Sequence, residues 1–571
     1  MTILPKRWEV YPRAPESHFA KFPKLSPLVV QILYNRGFTR RKEIEDFLAH
    51  RWIDDDPFSL KGMATAVERL SAAIIKQEPI AVYGDYDADG VTATALMIHL
   101  LTALGARVRA YIPNRFDEGY GLNKEALAEL AGQGLKLVLT VDCGIRSVEE
   151  VAYGNSLGLD LIITDHHHVG REVPPALAAI NPKQPDCAYL FKELAGVGLA
   201  YKLAQGLLRE EKLSAYLQAD LQADDFLDLV ALGTVADLAP LYGENRKLVS
   251  QGLRQLNTSL RPGLKALMQA AELKSNRISS GTIGFVIGPR LNAAGRLDSA
   301  LAAYRLLMAQ NELEAIHLAG QLDLQNQERQ KLTRETVEAA RQVILADDVQ
   351  RPLYFISRSD FNPGVVGLAA SRLTEEFYRP TLVAEQGAHF TKGSARSIAE
   401  FHITEALDQC SDLLERYGGH AAAAGFTVKN ENVPALHARL LRLAAQQLDV
   451  TDLRPTISID GEVNLRGVSP DLVEAIADLR PFGYGNPTPC FVTRQLTVRH
   501  KRTVGQEGHH LRLVLHDGRR SWPAIAFRQS DWADKLTVSQ QIDVVYNLEF
   551  NEWNGQRQLQ LNIKDLRPGE A

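Results

Sequence analysis

The segment Ile80-Ala81-Val82-Tyr83-Gly84, followed directly by Asp85-Tyr86-Asp87-Ala88-Asp89-Gly90, decides the fold of this chain. The apolar run predicts a buried strand, and carboxylates at every second position of an extended segment share one face. Three like charges so close together repel one another unless a cation lies among them. Alone, the motif would more often be a solvated acidic turn, so its interpretation depends on the rest of the chain.

Apolar runs and helical stretches alternate from about residue 79 to 165. We predict strands at 80–83, 108–112, 135–141 and 159–164, with helices between them. This alternation is typical of a parallel sheet covered by helices on both faces. Ligands of such sheets bind outside the carboxyl ends of the strands. Asp85, Asp142 and Asp165 each follow an apolar run, so the fold would bring them to one edge.

Composition describes an ordinary globular protein of several domains. The 571 residues are 45% hydrophobic and 23% charged, with a formal charge of −5, so the chain has no global basic character, although an acidic cluster could mask a basic groove. The four cysteines form no CxxC pair, which argues against a disulfide framework or zinc ribbon. Without a signal segment or an apolar span, we expect a cytoplasmic protein with no membrane association.

Acidic and imidazole side chains gather at the predicted strand ends. Oxygen-rich sites with one or two imidazoles suit Mn²⁺ or Mg²⁺ better than structural zinc. Asp142 is the natural bridging ligand of a two-metal site because it lies between the other clusters in the chain. Asp165 could accept a ring N–H and fix a tautomer, and a histidine run alone is as typical of a surface patch. The set is Asp85, Asp87, Asp89, Asp142, Asp165, His166, His167, His168 and Asp237.

Four motifs carry a family resemblance. The segments 85–90, 141–144, 165–167 and 231–237 resemble, in this order, the motifs of the DHH phosphoesterase superfamily. Further matches are similar to the RecJ family of bacterial single-strand-specific exonucleases. They are the segments 112–116, 119–121, 196–198, 288–296, 393–397, 418–425, 481–487 and 551–557. The resemblance extends from about residue 50 to the end of the chain.

The resemblance implies an enzyme with two metal ions. One ion would bind Asp87 and Asp142, and the other Asp89, Asp142, His166 and Asp237. His167 would face the scissile phosphate, Asp85 is a further candidate ligand, and His168 would be structural. The implied reaction is 5′→3′ hydrolysis of single-stranded DNA to mononucleotides, in DNA repair and recombination, with single-strand-binding protein and a RecQ-type helicase as implied partners.

The implied architecture is α/β: a parallel-sheet DHH domain and a second, DHHA1-like α/β domain joined by a long helix, followed by a small β-barrel of the OB type. We place an N-terminal extension that packs on the catalytic domain at 1–60, the catalytic domain at 61–315, the helix at 316–346, the substrate-binding domain at 347–450 and the barrel at 455–571. The apolar segment 226–237 is longer than a typical strand, and its length predicts a buried helix.

Substrate contacts are expected from arginines and glycine-rich turns. A guanidinium fork suits a phosphate, and the resemblance suggests that the segment 393–397 captures a terminal phosphate. The alternatives are ordinary solvated arginines and simple turns, and the segment 290–296 could instead tie the connecting helix to the first domain. The candidates are Arg115, Arg290, Asn292, Arg296, Ser394, Arg396, Gly419 and His420.

Two local features qualify this picture. Asn362 stands where the family often has histidine, and an amide cannot act as an acid or base. In the predicted barrel, basic runs at 499–502 and 509–512 accompany the aromatic residues Trp522, Phe527, Tyr546, Phe550 and Trp553. We expect most of these rings in the core and one or two exposed for stacking with bases.

Three other functions are compatible with parts of the sequence. A phosphoesterase for short RNA or cyclic dinucleotides would seldom need the basic C-terminal barrel. A non-catalytic replication scaffold would not need every motif carboxylate. A family II pyrophosphatase would leave more than 200 residues unexplained.

Overall fold

The computed structural model describes residues 5–52, 56–114, 121–218, 220–273, 277–346, 350–449, 452–505, 507–553 and 556–569. The chain divides into two compact units. The catalytic unit comprises residues 42–328 and 479–487, and the second unit comprises residues 1–41, 329–478 and 488–571. Within the described residues, no helix is both long and apolar enough to cross a bilayer.

A five-stranded parallel sheet forms the centre of the catalytic unit, in the order β3-β2-β4-β5-β6. The four predicted strands are confirmed, and the short fifth strand was not predicted. The apolar side chains of the strands at 80–84, 137–141 and 160–164 are buried on both faces, as expected for a parallel sheet, whereas those of the edge strand at 108–111 are only half-buried. The strands are β2 (Ile80–Gly84), β3 (Val108–Tyr111), β4 (Leu137–Val141), β5 (Asp160–Thr164) and β6 (Ala178–Ile180).

Helices cover this sheet. The predicted buried helix at 226–237 is confirmed as α9, all of whose first nine residues are buried. A π-helical turn at Ile283–Ile287 precedes α13. The helices are α3 (Arg41–Leu48), α4 (Met63–Ile75), α5 (Ala88–Ala103), α6 (Lys124–Gly132), α7 (Val148–Ser156), α8 (Gly196–Leu208), α9 (Leu227–Ala236), α10 (Gly243–Thr258), α11 (Pro262–Ala270), α12 (Ser280–Thr282), α13 (Gly288–Leu297), α14 (Leu301–Met308) and the long α15 (Glu312–Leu345).

The second unit contains the predicted second α/β domain. Its sheet has the order β10-β11-β9-β8-β7, and only β7 and β8 run parallel. The strands are β7 (Tyr354–Arg358), β8 (Thr381–Gln386), β9 (Phe390–Arg396), β10 (Leu414–His420) and β11 (Ala423–Lys429). The helices are α16 (Val366–Phe377), α17 (Ile403–Asp408) and α18 (Val433–Gln447).

A closed barrel follows, as the sequence predicts for an OB domain. Five strands pair in the cycle β14-β15-β16-β18-β17, and β17 pairs back with β14, so the barrel has no open edge. From residue 461 onward the strands and α-helices are β13 (Gly461–Glu462), α19 (Pro470–Ala477), β14 (Phe491–Val504), β15 (His510–His516), β16 (Ser521–Ala526), α20 (Trp532–Lys535), β17 (Gln541–Trp553) and β18 (Gln556–Pro568).

The N-terminal segment differs from its expected place. Strand β1 (Arg7–Val10) pairs in parallel with β12 (Thr456–Ile459), so β12 lies in a two-stranded sheet rather than in the barrel. Residues 1–41, with helices α1 (Glu16–Phe19) and α2 (Pro27–Asn35), therefore belong to the second unit, and only residues 42–60 of the expected extension belong to the catalytic unit. This pairing could not be predicted from local patterns because its partners are far apart in the chain.

Two helical glycines allow a test of the packing. A methyl group at Gly252 of α10 would collide with the Leu227 carbonyl oxygen of α9, whereas one at Gly320 of α15 would meet no atom within 4 Å. We expect Gly252→Ala to lower the free energy of unfolding by about 2 kcal/mol, a typical overpacking cost. Gly320→Ala should raise it by about 0.5–1 kcal/mol because alanine favours helix.

Urea unfolding followed by circular dichroism measures both changes. If the two variants shift the midpoint in the same direction, the close approach of α9 and α10 is not the reason for glycine at position 252.

Candidate metal centre

The carboxyl edge of the parallel sheet carries the predicted acidic residues. Asp85 follows β2, Asp142 follows β4 and Asp165 follows β5, and all three are buried. Asp142 has a left-handed backbone with φ of 65°, an uncommon conformation for a residue other than glycine. The edge therefore presents carboxylates from three strands, as the alternation of strands and helices predicts.

Backbone N–H groups position the carboxylates of the 85–90 segment. Oδ1 of Asp87 accepts hydrogen bonds from the N–H groups of Asp89, at 2.9 Å, and Gly90, at 3.1 Å, and so caps α5. Asp89 accepts from the N–H groups of Gly196, at 2.6 Å, and Val197, at 2.8 Å, at the start of α8. These bonds give each carboxylate one fixed orientation.

Six aspartate and histidine side chains predicted as metal ligands come together, with His167 beside them. Three groups each bring ligand atoms within 4.8 Å of one another: Asp85, Asp87 and Asp142; Asp89, His166 and Asp237; and Asp142, His166 and His167. Nε2 of His166 lies 3.2 Å from Oδ1 of Asp142, 3.7 Å from Oδ2 of Asp237 and 3.9 Å from Oδ2 of Asp89. Asp142 and His166 each belong to two of these groups, although only Asp142 was predicted to bridge the two ions.

The electrostatics of this cluster are unfavourable without a cation. Burial, reinforced by neighbouring carboxylates, raises the pKa of Asp89 to about 7 and that of Asp237 to about 9. The same causes raise the pKa values of Asp85 and Asp142 well above their usual range. Burial lowers the pKa of His166 to about 3, which keeps its ring neutral and able to bind a metal.

Unpaired buried atoms fit divalent cations at this place. Among the described residues, Oδ1 of Asp85, Oδ1 of Asp142 and Nε2 of His166 are buried and make no hydrogen bond. Buried polar atoms in proteins are nearly always paired. Carboxylate oxygens with a single imidazole nitrogen are a donor set that suits Mn²⁺ or Mg²⁺.

His167 differs from His166 in its surroundings. Its Nδ1 lies 2.7 Å from Oδ1 of Asp165, and Asp165 also accepts from the N–H groups of His167 and Ile145. Burial alone would raise the pKa of Asp165 and lower that of His167. The hydrogen bonds outweigh burial, so the pKa of Asp165 is lowered and that of His167 is raised. An ionised carboxylate can only accept, so Nδ1 of His167 carries the proton. The predicted contact between Asp165 and a histidine ring is therefore present.

Helix α13 makes the tie to the long helix that was the alternative to substrate contact for this segment, and the substrate contacts of Arg290 and Asn292 stay predictions. Oδ1 of Asn292 accepts a hydrogen bond of 2.7 Å from the N–H of Ala88, and Arg290 forms an ion pair of 2.8 Å with Asp323 of α15. Gly295 lies so close to the acidic segment that a Cβ there would be 2.5 Å from the Tyr86 carbonyl oxygen. Asn292 thus positions the acidic segment, and Arg290 ties the long helix to the catalytic unit. The predicted phosphate contact of Arg296 stays a prediction.

The other predicted substrate residues lie elsewhere. Arg115 is outside the described residues. In the second unit, Arg396, Ala423 and His420 occupy one row across three adjacent strands. Gly419 lies in the next row, and Ser394 lies one row further on. Oδ1 of Asn362 accepts from the N–H of Gly364 in the turn before α16. The sheet therefore assembles Ser394, Arg396, Gly419 and His420 within a few strand spacings.

The loop after β6 adds two residues that the sequence did not reveal. Asn181 donates to the His167 carbonyl oxygen at 2.9 Å and accepts from the N–H of Lys183. The positive charge of Lys183 favours ionised Asp237, although burial and the aspartates outweigh it. The short apolar run at 178–180 was the available signal for a further strand ending at this edge.

Comparison with known proteins identifies the family. The models of the DHH family N-terminal domain, the DHHA1 domain and the RecJ OB domain match residues 79–234, 351–446 and 459–565. The single-stranded-DNA-specific exonuclease RecJ of Bacillus subtilis is 40% identical over 552 residues, covering 96% of this chain and 68% of the relative. The corresponding Dickeya dadantii protein is 35% identical, covering 96% and 97%. The chain belongs to the RecJ family.

A solved structure agrees with this membership. The crystal structure of RecJ from Thermus thermophilus in complex with Mn²⁺ matches with a TM-score of 0.84 and 33% identity, covering 99% of this chain and 80% of that one. The three-domain architecture of this RecJ-family chain, expected from its motifs, is therefore confirmed.

The metal centre predicts a specific response to Mn²⁺. Mn²⁺ should raise the thermal midpoint of the original chain by mass action. In Asp142→Asn most of this rise should disappear, because a residue shared between two ligand groups is lost. Differential scanning fluorimetry with increasing Mn²⁺ measures the effect. Asp160→Asn, which alters an aspartate paired with Arg69 at the opposite end of β5, should keep the rise, and a full rise in Asp142→Asn would exclude this residue as a ligand.

Asn292 gives a second prediction. Asn292→Ala should weaken Mn²⁺ binding about 10–100-fold, the usual effect of removing a group that orients metal ligands. Isothermal titration without DNA measures this directly. Asn155→Ala, which removes an exposed amide bonded to the Pro175 carbonyl oxygen, serves as the matched control. Unchanged Mn²⁺ affinity in Asn292→Ala, together with weaker DNA binding, would return Asn292 to the substrate contacts.

Proposed function

We propose that this chain hydrolyses single-stranded DNA from its 5′ end to mononucleotides, with two Mn²⁺ or Mg²⁺ ions, in DNA repair and recombination. It is a metal-dependent single-stranded-DNA-specific exonuclease, as its RecJ relatives are named. The observation that carries the proposal is the convergence of Asp85, Asp87, Asp89, Asp142, His166 and Asp237 at one sheet edge.

The bound ions would supply Lewis-acid stabilisation of the charge on a scissile phosphodiester. Asp87 and Asp142 would hold one ion, and Asp89, Asp142, His166 and Asp237 the other, with Asp85 as a further ligand. The protein supplies their positions in advance, because backbone N–H groups already fix Asp87 and Asp89. Such preorganisation lowers the reorganisation needed during the reaction.

His167 suits a role beside the phosphate. Its Nδ1 is anchored to Asp165 at 2.7 Å, and its pKa is raised despite burial. The ring is therefore held in one orientation and favours a positive charge, which would attract an anionic substrate. Lys183, near Asp237, adds a second cation to this side of the centre.

The barrel provides features that favour a single strand. A cleft is lined by Lys6, Phe527, Arg528 and Lys564, together with Gln529, Asn562, Ile563 and Asp565. Phe527 is 51% exposed, whereas Trp522 and Tyr546 are buried in the barrel, in agreement with the expectation that few of these rings are free to stack. Cations beside an exposed ring match the way OB folds hold unpaired nucleotides.

In the second unit, Ser394 and Arg396 lie next to the start of α16. A Cβ at Gly367 would be 3.2 Å from both Oγ of Ser394 and Nη2 of Arg396, so these groups meet at the first turn of a helix. A helix N-terminus, a hydroxyl and a guanidinium together suit a phosphate. We propose that they hold the terminal phosphate, with Gly419 and His420 nearby. From the family resemblance, we also propose a cytoplasmic location and interaction with single-strand-binding protein and a RecQ-type helicase.

The test is Mn²⁺-dependent degradation of single-stranded DNA labelled at its 5′ or 3′ end. The 5′ label should appear at once as a mononucleotide, the 3′ label should be released last, and a blunt duplex should persist. Asp142→Ala should lower the rate at least 100-fold, given the size of metal contributions to catalysis, while Asp160→Ala should not.

Early release of the 3′ label would contradict the polarity. Consumption of dinucleotides or short RNA without attack on DNA would favour a small-substrate phosphoesterase instead.

A further inference from the structure

The segment 479–487 belongs to the catalytic unit, although it interrupts the sequence of the barrel region. Three hydrogen bonds anchor it there. Nη1 of Arg246 donates to the Leu479 carbonyl oxygen at 2.8 Å, and Oγ of Ser280 donates to the Phe482 carbonyl oxygen at 2.6 Å. The N–H of Leu241 donates to the Tyr484 carbonyl oxygen at 2.7 Å. The segment is therefore built into the catalytic unit along its length.

The segment ends in a tight hairpin. Gly483 and Asn486 exchange backbone hydrogen bonds of 2.9 and 3.2 Å. The buried side chain of Asn486 donates to the carbonyl oxygens of Leu479, at 2.9 Å, and Pro481, at 2.7 Å. Gly485 has a φ of 73°, and a Cβ there would be 2.8 Å from Cβ of Pro240. The backbone beside Tyr484 is thus fixed by contacts on both sides.

This rigid hairpin presents an exposed aromatic ring. Tyr484 is 67% exposed, and Leu238, which directly follows Asp237, is 68% exposed. Burial raises the pKa of Tyr242, and the charges of Glu193 and then Tyr484 add to this effect. Tyr242 and Tyr484 therefore lie close enough for their hydroxyls to interact. Tyr242 is itself 40% exposed, and exposed apolar side chains that lie together, unlike single ones, mark binding surfaces.

A backbone hydrogen bond anchors Tyr484 close to a residue of the metal centre. The Tyr484 carbonyl oxygen is bonded to Leu241, four residues after Asp237. Four residues span at most about 14 Å, so Tyr484 is anchored within a short distance of a predicted metal ligand. This distance is within the reach of a base close to a phosphate that lies at the metals.

We propose that Tyr484 is a stacking platform for an unpaired base next to the phosphodiester that is cleaved. This inference rests on the proposed function and adds a positioning residue to it. An unpaired base exposes its π-face to such a ring, whereas a base stacked inside a duplex does not, and stacking of this kind tolerates every base. The platform would thus favour single strands without selecting sequence.

Binding of single-stranded DNA in an Asp142→Ala background, in which the strand stays intact, tests the proposal. Tyr484→Ala should weaken binding about tenfold, the effect of losing one base–aromatic stack, and Tyr484→Phe or Tyr484→Trp should restore it. Tyr153→Ala is the matched control, because Tyr153 is a part-exposed tyrosine near the end of α7, away from the carboxyl edge, and should not change affinity.

Abasic substitution identifies the base. A single abasic site, moved through the first nucleotides of the strand, should weaken binding at one position when Tyr484 is present and have no further effect in Tyr484→Ala. Such non-additivity is the signature of direct contact. Equal losses in both proteins at every position, unchanged affinity of Tyr484→Ala, or failure of Tyr484→Phe to restore binding would each overturn the platform.

Nuclease activity of the unaltered chain on the same strand separates the two proposals. Loss of the stacking signature in a chain that degrades single-stranded DNA with Mn²⁺ would refute the platform alone. Absence of degradation by the unaltered chain would instead refute the proposed function.

Discussion

Mutual repulsion of buried carboxylates is the constraint on which the catalytic unit depends. Asp85, Asp89 and Asp142 are buried within one cluster, and burial with repulsion raises their pKa values. Only a cation relieves this repulsion while the groups stay ionised. The surrounding backbone packs closely against these carboxylates: a Cβ at Gly196 would be 2.6 Å from the Asp142 side chain, and one at Gly233 would be 2.7 Å from Oδ1 of Asp89. Glycine is thus required where backbone approaches the ligands.

Two neighbouring histidines acquire opposite properties from the same cluster. His166 faces carboxylates but loses its proton to burial, with a pKa of about 3, which suits a metal ligand. His167 keeps its proton more readily because Asp165 accepts from its ring. The rings are only 4.5 Å apart, so the difference arises from their immediate partners: the hydrogen bond and the charge of Asp165, with the charges of Asp87 and Asp85, favour the charged ring of His167. A pair of adjacent histidines can in this way provide both a neutral ligand and a cation.

Local sequence patterns predicted the features that depend on residues near one another in the chain. The strand–aspartate order placed Asp85, Asp142 and Asp165 at one edge because parallel strands end together. The pairing of β1 with β12 could not be predicted, since it joins Arg7 to Thr456 across most of the chain. The partners of Arg290 and Asn292 could not be predicted for a different reason. Their side chains suit phosphate as well as Asp323 or a backbone N–H, and only the fold decides which partner is near.

The segment 479–487 shows why domain boundaries in sequence and units in space need not coincide. All the predicted metal ligands lie before residue 238, so the catalytic chemistry looks complete without the C-terminal region. Yet the carbonyl groups of Leu479 and Tyr484 satisfy Arg246 and the N–H of Leu241 in the catalytic unit, and buried polar groups are costly to leave unpaired. The loop that follows Asp237 is therefore supported by residues about 240 positions later. The catalytic unit and the C-terminal sequence are thus linked through hydrogen bonds rather than through a shared motif.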